Sequence, residues 1–321
     1  MFWKACMVMT MMIAVTTEVW ADVREWPARE VKITVPQGPG SASDAVARVW
    51  ARELQELWGQ RVLVENRPGA SGAINYAGLA KSAPDGYTIT MINTTFTAGL
   101  ASQTNLPYTR DQILGVGQFA RFNVLMIARG DAAFNDIPQL LRHLRDNPGR
   151  VRFGNIGYGS YGHLTMKHLE GTLGTRMISV PYANIAQAVP DLVSGQIDLM
   201  ITDMLAPFPG MLAKGEIKII GTLGDPWIYN GQRVASITQF VPNVRANGYY
   251  ALGVPKDTPR AIVERIQRDM AKITANADVQ QKLISMHLVP VTISSEEFNK
   301  WVDSDIDKLR RLIRDFDIKP D

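Results

Sequence analysis

Val31-Lys32-Ile33-Thr34-Val35-Pro36-Gln37-Gly38-Pro39-Gly40-Ser41-Ala42-Ser43-Asp44-Ala45-Val46-Ala47-Arg48 decides how the rest of the chain is read. Five residues that favour a strand run into a proline, a loop with two glycines follows, and a helix opens near Ser43 or Asp44. The first turn of a helix carries N–H groups with no internal partner, and the helix dipole adds partial positive charge there. Glycines let a ligand approach those donors closely. The stretch therefore reads as an anion cradle for phosphate or carboxylate, or as a βα turn that binds nothing.

The same grammar repeats outward from this point. Strands are predicted at 61–65, 87–92, 124–128, 151–154, 177–182, 197–201, 218–223 and 249–254. Between them lie helical patterns, the clearest carrying Val46, Val49, Trp50, Leu54 and Leu57 on one face and stopping at Gly59. Asn66-Arg67-Pro68-Gly69-Ala70-Ser71-Gly72 is a second glycine loop, and Gly157-Tyr158-Gly159-Ser160-Tyr161-Gly162 a third. Asn93-Thr94-Thr95 ends the strand at 87–92 as a polar run. The tail from Ser295 is helical, with Phe298, Trp301, Ile306 and Leu309 as its apolar face. Alternating strands and helices predict an α/β protein with mostly parallel sheets. The βα series runs to about residue 122 and restarts near Val124, which suggests two lobes. Loops that follow parallel strands then face one shared cleft.

Composition narrows the function classes. A chain of 321 residues with 46% hydrophobic and 20% charged residues has the material for two packed lobes. The net charge of +3 is spread without a Lys/Arg block, which argues against nucleic acid as a partner. Met1 to Lys4 is a short positive start, Ala5 to Val15 is mostly apolar, and Val19-Trp20-Ala21 offers a cleavage site. Residues 1–21 read as a secretory signal peptide or, alternatively, as a buried strand or short anchor. The apolar run is shorter than the roughly 20 residues of a membrane span. The only cysteine, Cys6, lies inside it, so the processed chain is expected to have no disulfide, thiol chemistry or cysteine-based metal site.

Catalytic and cofactor patterns are met and set aside in turn. Gly157-x-Gly159-x-x-Gly162 follows a strand, as in the dinucleotide fingerprint, but the next strand ends Val180-Pro181-Tyr182 without the acidic residue that holds a ribose. Ser160 with His163 suggests a nucleophile, yet the elbow pattern fails at Tyr158 and no acid is placed to orient the histidine, so Ser160 reads as a helix cap. His143, His168 and His287 are scattered. Asp303, Asp305 and Asp307 alternate like part of a calcium loop but lack its glycine and distal glutamate, and read as a solvated helix face. No metal, cofactor or catalytic constellation is assigned, and the chain is not expected to be an enzyme.

Taken in order, several segments resemble one family, the solute receptors of tripartite tricarboxylate transporters, or Bug-type periplasmic binding proteins. They are Trp26-Pro27, the run from Val35-Pro36 through Pro39-Gly40 and Asp44 to Ala47-Arg48, and Val64 to Gly72. Then come Ala83-Pro84-Asp85-Gly86-Tyr87-Thr88, Gly159-Ser160-x-x-His163-Leu164, Val180-Pro181-Tyr182, Asp191 to Met200, and Pro255-x-x-Thr258-Pro259. The ordered set covers the chain beyond the leader. The resemblance implies a two-lobed periplasmic binding protein fold of type II-like plan. Residues 22–123 and 245–321 would form one lobe and 124–244 the other. It also implies a periplasmic monomer that closes on a small organic acid, such as a di- or tricarboxylate, an acidic amino acid or an aromatic acid. That acid would be delivered to a transporter with one large and one small membrane subunit.

Carried over by position, the first lobe would contribute Gln37, Gly38, Gly40, Ser41, Ser43, Asn93, Thr94 and Thr95 to the ligand. The second would contribute Gly159, Ser160, Tyr182, Asn184 and Asp203. Where the family commonly has Phe-Ala-Pro-Gly-Gly, this chain has Gln37-Gly38-Pro39-Gly40-Ser41. In place of Pro-Tyr-Lys-Gly it has Pro181-Tyr182-Ala183-Asn184. An amide replaces an aromatic wall and a cation is lost, which favours a ligand rich in hydrogen-bonding groups over an apolar ring. A receptor feeding a membrane sensor kinase, and an exported hydrolase using Ser160 and His163, are the alternatives.

Overall fold

A computed structural model describes residues 26–182, 185–204 and 207–318. Residues 1–21, expected as a leader, and Asn184 lie outside the described residues. From the N-terminus, β1 (Val31–Val35), α1 (Ala42–Trp58), β2 (Val62–Asn66), α2 (Ala73–Ala80), β3 (Thr88–Ile92), α3 (Thr94–Ser102) and β4 (Ile113–Asn123) follow one another. Next come β5 (Leu125–Arg129), α4 (Ile137–Asp146), β6 (Arg152–Asn155), α5 (Tyr161–Leu173), β7 (Ile178–Pro181) and α6 (Ala188–Ser194). They lead to β8 (Leu199–Thr202), α7 (Phe208–Ala213), β9 (Ile217–Thr222) and a hairpin of β10 (Trp227–Tyr229) and β11 (Gln232–Val234). The chain closes with β12 (Asn247–Pro255), α8 (Arg260–Ala275), α9 (Ala277–Ser285), β13 (Leu288–Ile293) and α10 (Ser295–Asp315).

Two sheets make two lobes. The first has the order β13-β4-β12-β3-β1-β2 and the second β7-β6-β8-β5-β9. In the first, β1 is parallel to β2 and β3 (Val31 opposite Val62, Ile33 opposite Ile89), whereas β12 is antiparallel to β3 and β4, and β13 to β4. In the second, β6 is parallel to β7 and β8, and β5 antiparallel to β8 and β9. The expectation of mostly parallel sheets is corrected: both are mixed. The reason is the passage between lobes, since β4 runs straight on into β5 through Val124 and the chain returns through β12. Strands that carry the chain across must enter one sheet against its grain. At the crossing Leu223 N–H donates to Val124 C=O at 2.8 Å and Ala246 N–H to Leu223 C=O at 2.8 Å, so the outgoing and returning segments lie side by side.

Apolar side chains sort onto both faces of each sheet. α1 places Val46, Trp50, Leu54 and Trp58 against one face of the first sheet, beside Ile262 and Ile266 of α8. Each fully buried large apolar side chain contributes about 1.5–3 kcal/mol. Ser41 caps its start, and Gly59 at φ 65° ends it in a left-handed turn, as the pattern predicts. The opposite face carries Tyr76, Phe96 and Tyr108 with Phe298, Val302 and Ile306 of α10. The second sheet is covered by α4 and α5 on one side and by α6 and α7 on the other.

The sequence reading had no strand at β4, β10, β11 or β13, and it differs again in α10. β4 was not expected, because Gly115 and Gly117 interrupt its apolar pattern. Those glycines are where other chain segments press closest: a Cβ at Gly115 would strike Phe298, and one at Gly117 would meet the Ile293 carbonyl at 2.7 Å. In α10, Asp303 and Asp307 are exposed as expected, but Asp305 is buried, with 6% of its surface accessible. Residues two apart on a helix point to nearly opposite sides, so three alternating aspartates cannot share one face. Trp301, expected inside, is on the rim, and Val302 is buried instead. The last turns of α10, with Leu309 and Leu312, pack into the core of the second lobe.

Candidate functional site

The loop after β1 is built around Asp44, 4% exposed. Its carboxylate accepts from Gly40 N–H (3.0 Å), Asn66 Nδ2 (3.0 Å) and Arg48 Nε (3.1 Å). Burial pushes this carboxyl up, but the bonds from Arg48, Gly40 and Asn66 outweigh it and hold the group below its ordinary range. The Gly40 N–H is therefore occupied, and Gly40 serves the loop through its backbone, at φ 79°. Ser41 Oγ accepts Asp44 N–H at 3.2 Å. The N–H groups of Ala42 and Ser43 are left without a backbone acceptor and are the donors the helix start offers.

A second helix start meets the first. Asn93, Thr94 and Thr95, expected as a strand end, form the cap and first turn of α3. Asn93 Oδ1 accepts from Thr95 N–H (3.0 Å) and Thr95 Oγ1 (2.8 Å), which draws the chain out of extended geometry. Asn93 Nδ2 donates to Ser43 Oγ and Gln37 Oε1, both at 2.9 Å, tying the two starts together. An Asn-Thr-Thr before the apolar run Phe96 to Leu100 was the signal for this helix.

The second lobe supplies the facing start. Ser160 caps α5, its Oγ accepting His163 N–H at 3.4 Å. His163 Nδ1 accepts from Gly159 N–H at 3.2 Å, so the backbone rather than the serine hydroxyl takes that ring nitrogen, and the ring packs against Tyr158 and Phe153. The hydrolase geometry, which needs a serine-to-imidazole bond, is not formed. Gly159 also presents its carbonyl to Ser102 Oγ of the first lobe at 3.2 Å.

Between the lobes lies a cavity of about 470 Å³, within the range of small-ligand sites. Gln37, Gly38, Gly40, Ser41, Ser43, Asn93, Thr94, Thr95, Ser160, Tyr182 and Asp203 all line it. Gly159 does not. Sequence reasoning missed Ala70, Ser71 and Gly72 from the second glycine loop, although their motif was noted. It also missed Tyr161 and Tyr250, which no local signal marks. Gly72 sits at φ 92°, hemmed by Thr95, Pro36 and Tyr76, and so brings that loop against the other starts.

Among the described residues no Lys, Arg or His lines this cavity, and Asp203 is its only carboxylic acid. Tyr182 donates to Asp191 Oδ2 at 2.7 Å, and burial, then that bond, push its hydroxyl up to about 12. Burial pushes Asp203 up as well, against hydrogen bonds from its own backbone, Thr202 and Tyr250. The polar inventory is thus helix-start N–H groups, hydroxyls and amides. Such a wall stabilises an anion through aligned dipoles instead of a counter-charge. No group of three or more His, Cys, Asp or Glu able to hold a metal occurs among the described residues. No described helix is long and apolar enough to cross a membrane.

With this geometry in hand, similarity to known proteins becomes informative. Residues 46–318 match the model of the tripartite tricarboxylate transporter family receptor. The UPF0065 protein of the tcbD-tcbE intergenic region of Pseudomonas sp. strain P51 is 30% identical over 295 residues, 91% of this chain and 87% of that protein. Protein BugT of Bordetella pertussis is 26% identical over 294 residues, 90% of each chain. Among solved structures, R. palustris Rpa4515 with adipate superposes with a TM-score of 0.83 at 25% identity, covering 92% of this chain and 99% of that one.

Proposed function

The chain belongs to the tripartite tricarboxylate transporter receptor family, and from that premise we propose that it is a periplasmic receptor that closes its two lobes on a small organic carboxylate. One observation carries the reading: helix starts from both lobes, α1 and α3 on one side and α5 on the other, converge on one cavity that no cationic side chain lines among the described residues. A carboxylate held by Ala42 and Ser43 N–H from one lobe and by Ser160 and the start of α5 from the other has more donors when the lobes meet. That difference in affinity between open and closed forms is what shifts the population to the closed one. Each charge-assisted bond contributes about 1.5–3 kcal/mol. The adipate bound to the R. palustris neighbour is a carboxylate of this kind.

In this reading the lobes hinge where 123 meets 124 and 244 meets 245, and Gln37, Ser43, Asn93, Thr94, Thr95, Ser160, Tyr182 and Asp203 face the ligand. The loaded receptor delivers its acid to a large and a small membrane subunit and works as a monomer. The test is a thermal-shift screen against organic acids, amino acids and aromatic carboxylates, run before and after denaturation and refolding to clear carried-over ligand. Ligand at 100 times its Kd adds about 2.7 kcal/mol. A stabilising carboxylate is expected. Silence in both runs would overturn the carboxylate reading.

A further inference from the structure

Asp203 is out of place in a cavity built for anions. It stands at the end of β8, where Thr202 Oγ1 donates to its Oδ1 at 3.2 Å and Tyr250 O–H to its Oδ2 at 3.4 Å. Both bonds are long for O–H to carboxylate pairs, which close to about 2.5–2.7 Å when the donor is well placed. No lysine or arginine lines this cavity or the small one on the other side of Asp203, among the described residues. The one basic side chain there is His287. Its ring packs at 5.8 Å from Trp227 and 5.7 Å from Tyr229, and burial lowers its basicity. Among the described residues the carboxyl thus has no cationic partner, and burial holds it above its ordinary range.

Asp203 also stands close to the start of α1. The Tyr250 hydroxyl also interacts with Ser43, at the start of α1. One hydroxyl therefore stands between Asp203 and the Ser43 side chain, two hydrogen-bond lengths or about 6 Å, and the Ala42 and Ser43 N–H groups belong to that same helix start. A carboxylate and an ammonium on one carbon atom span that gap with a hydrogen bond at each end. A second carboxylate placed there would face Asp203 instead.

Resting on the carboxylate reading above, we propose that Asp203 is a specificity-determining residue that selects acids bearing an ammonium beside the carboxylate, and turns away the same acids without it. The ligand's carboxylate sits on the α1 start and its ammonium on Asp203. Because the two groups come from different lobes, such a ligand bridges them through a single head group.

The experiment is calorimetric titration of the refolded protein with matched pairs that differ only by the ammonium: L-glutamate against glutarate, and L-norvaline against valerate, at neutral pH. At least a tenfold preference for the amino acid in one pair is expected in the unaltered chain, collapsing in Asp203→Asn while the amine-free partner binds as well or better. The pair ratio in the unaltered chain decides the matter even where the variant fails to fold. Equal affinities within both pairs, or binding of the amine-free acids alone, would overturn the assignment of Asp203 and leave the carboxylate receptor standing. Absence of binding by any carboxylate, in this and the wider screen, would overturn the receptor reading and this proposal with it.

Discussion

Replacing Asp44 with Asn separates charge from shape at the loop that organises the first lobe's half of the cavity. Four donor contacts surround the two carboxylate oxygens: Gly40 N–H, Asn66 Nδ2 and two nitrogens of Arg48. An amide keeps one oxygen and turns the other into a donor facing donors. Arg48 has 56% of its side chain exposed, so its share is discounted to the surface range of under about 1 kcal/mol. The buried bonds weaken from about 1.5–3 to about 0.5–1.5 kcal/mol or are lost. Together these give a loss of ~3 kcal/mol. With an unfolding entropy of about 2.1 cal/mol/K per residue over about 300 residues, the melting temperature falls by ~5 °C. The sign with pH follows from the depressed carboxyl. Its stabilisation is complete above the ordinary value of 3.8 and is lost as pH falls through the lower folded-state value. Scanning calorimetry of both proteins at neutral pH and at steps below 3.8 reads this out. A variant melting within a degree of the unaltered chain at neutral pH, or a deficit that does not narrow in acid, would refute the reasoning.

Three further outcomes are expected. Ser160→Ala removes a helix cap and a cavity hydroxyl, so ligand affinity in a titration should fall about tenfold, with a stability loss of about 1 kcal/mol by denaturant melt. Asp203→Asn should raise the melting temperature at neutral pH. The folded-state pKa of Asp203 is raised, so ionisation costs stability as pH climbs from 3.8 through the folded value, and the variant's advantage should close on acidification. Gly72→Ala puts a Cβ at φ 92° within 3.0 Å of Thr95 Oγ1 and 3.1 Å of Pro36 and Tyr76, so it should destabilise by over ~1 kcal/mol and weaken binding, whereas Gly38→Ala, whose Cβ meets no protein atom, should leave stability unchanged.

Local chemistry was legible wherever neighbours in sequence settle it. The α1 cap and its Gly59 stop, the strand that starts the series and the restart near Val124 all follow from residues within a few positions of one another. What escaped depends on segments far apart. β4 looks broken by glycines until Phe298 and Ile293 are seen pressed against them. Asp305 looks solvated until Tyr161 is seen donating to it at 3.1 Å, across 144 residues. In the cavity, the family resemblance pointed to the loops, and most of the named residues do meet there. It missed Tyr250, which reaches the floor only because β12 returns between β3 and β4.

Helix α10 begins against the first sheet and ends in the second lobe's core, holding α3 through Arg310 on the Leu100 carbonyl and α5 through Asp305 on Tyr161. The two lobes therefore share a structural member besides the crossing strands, and neither completes its core without it. They should melt together, in one calorimetric transition whose van't Hoff and measured enthalpies agree.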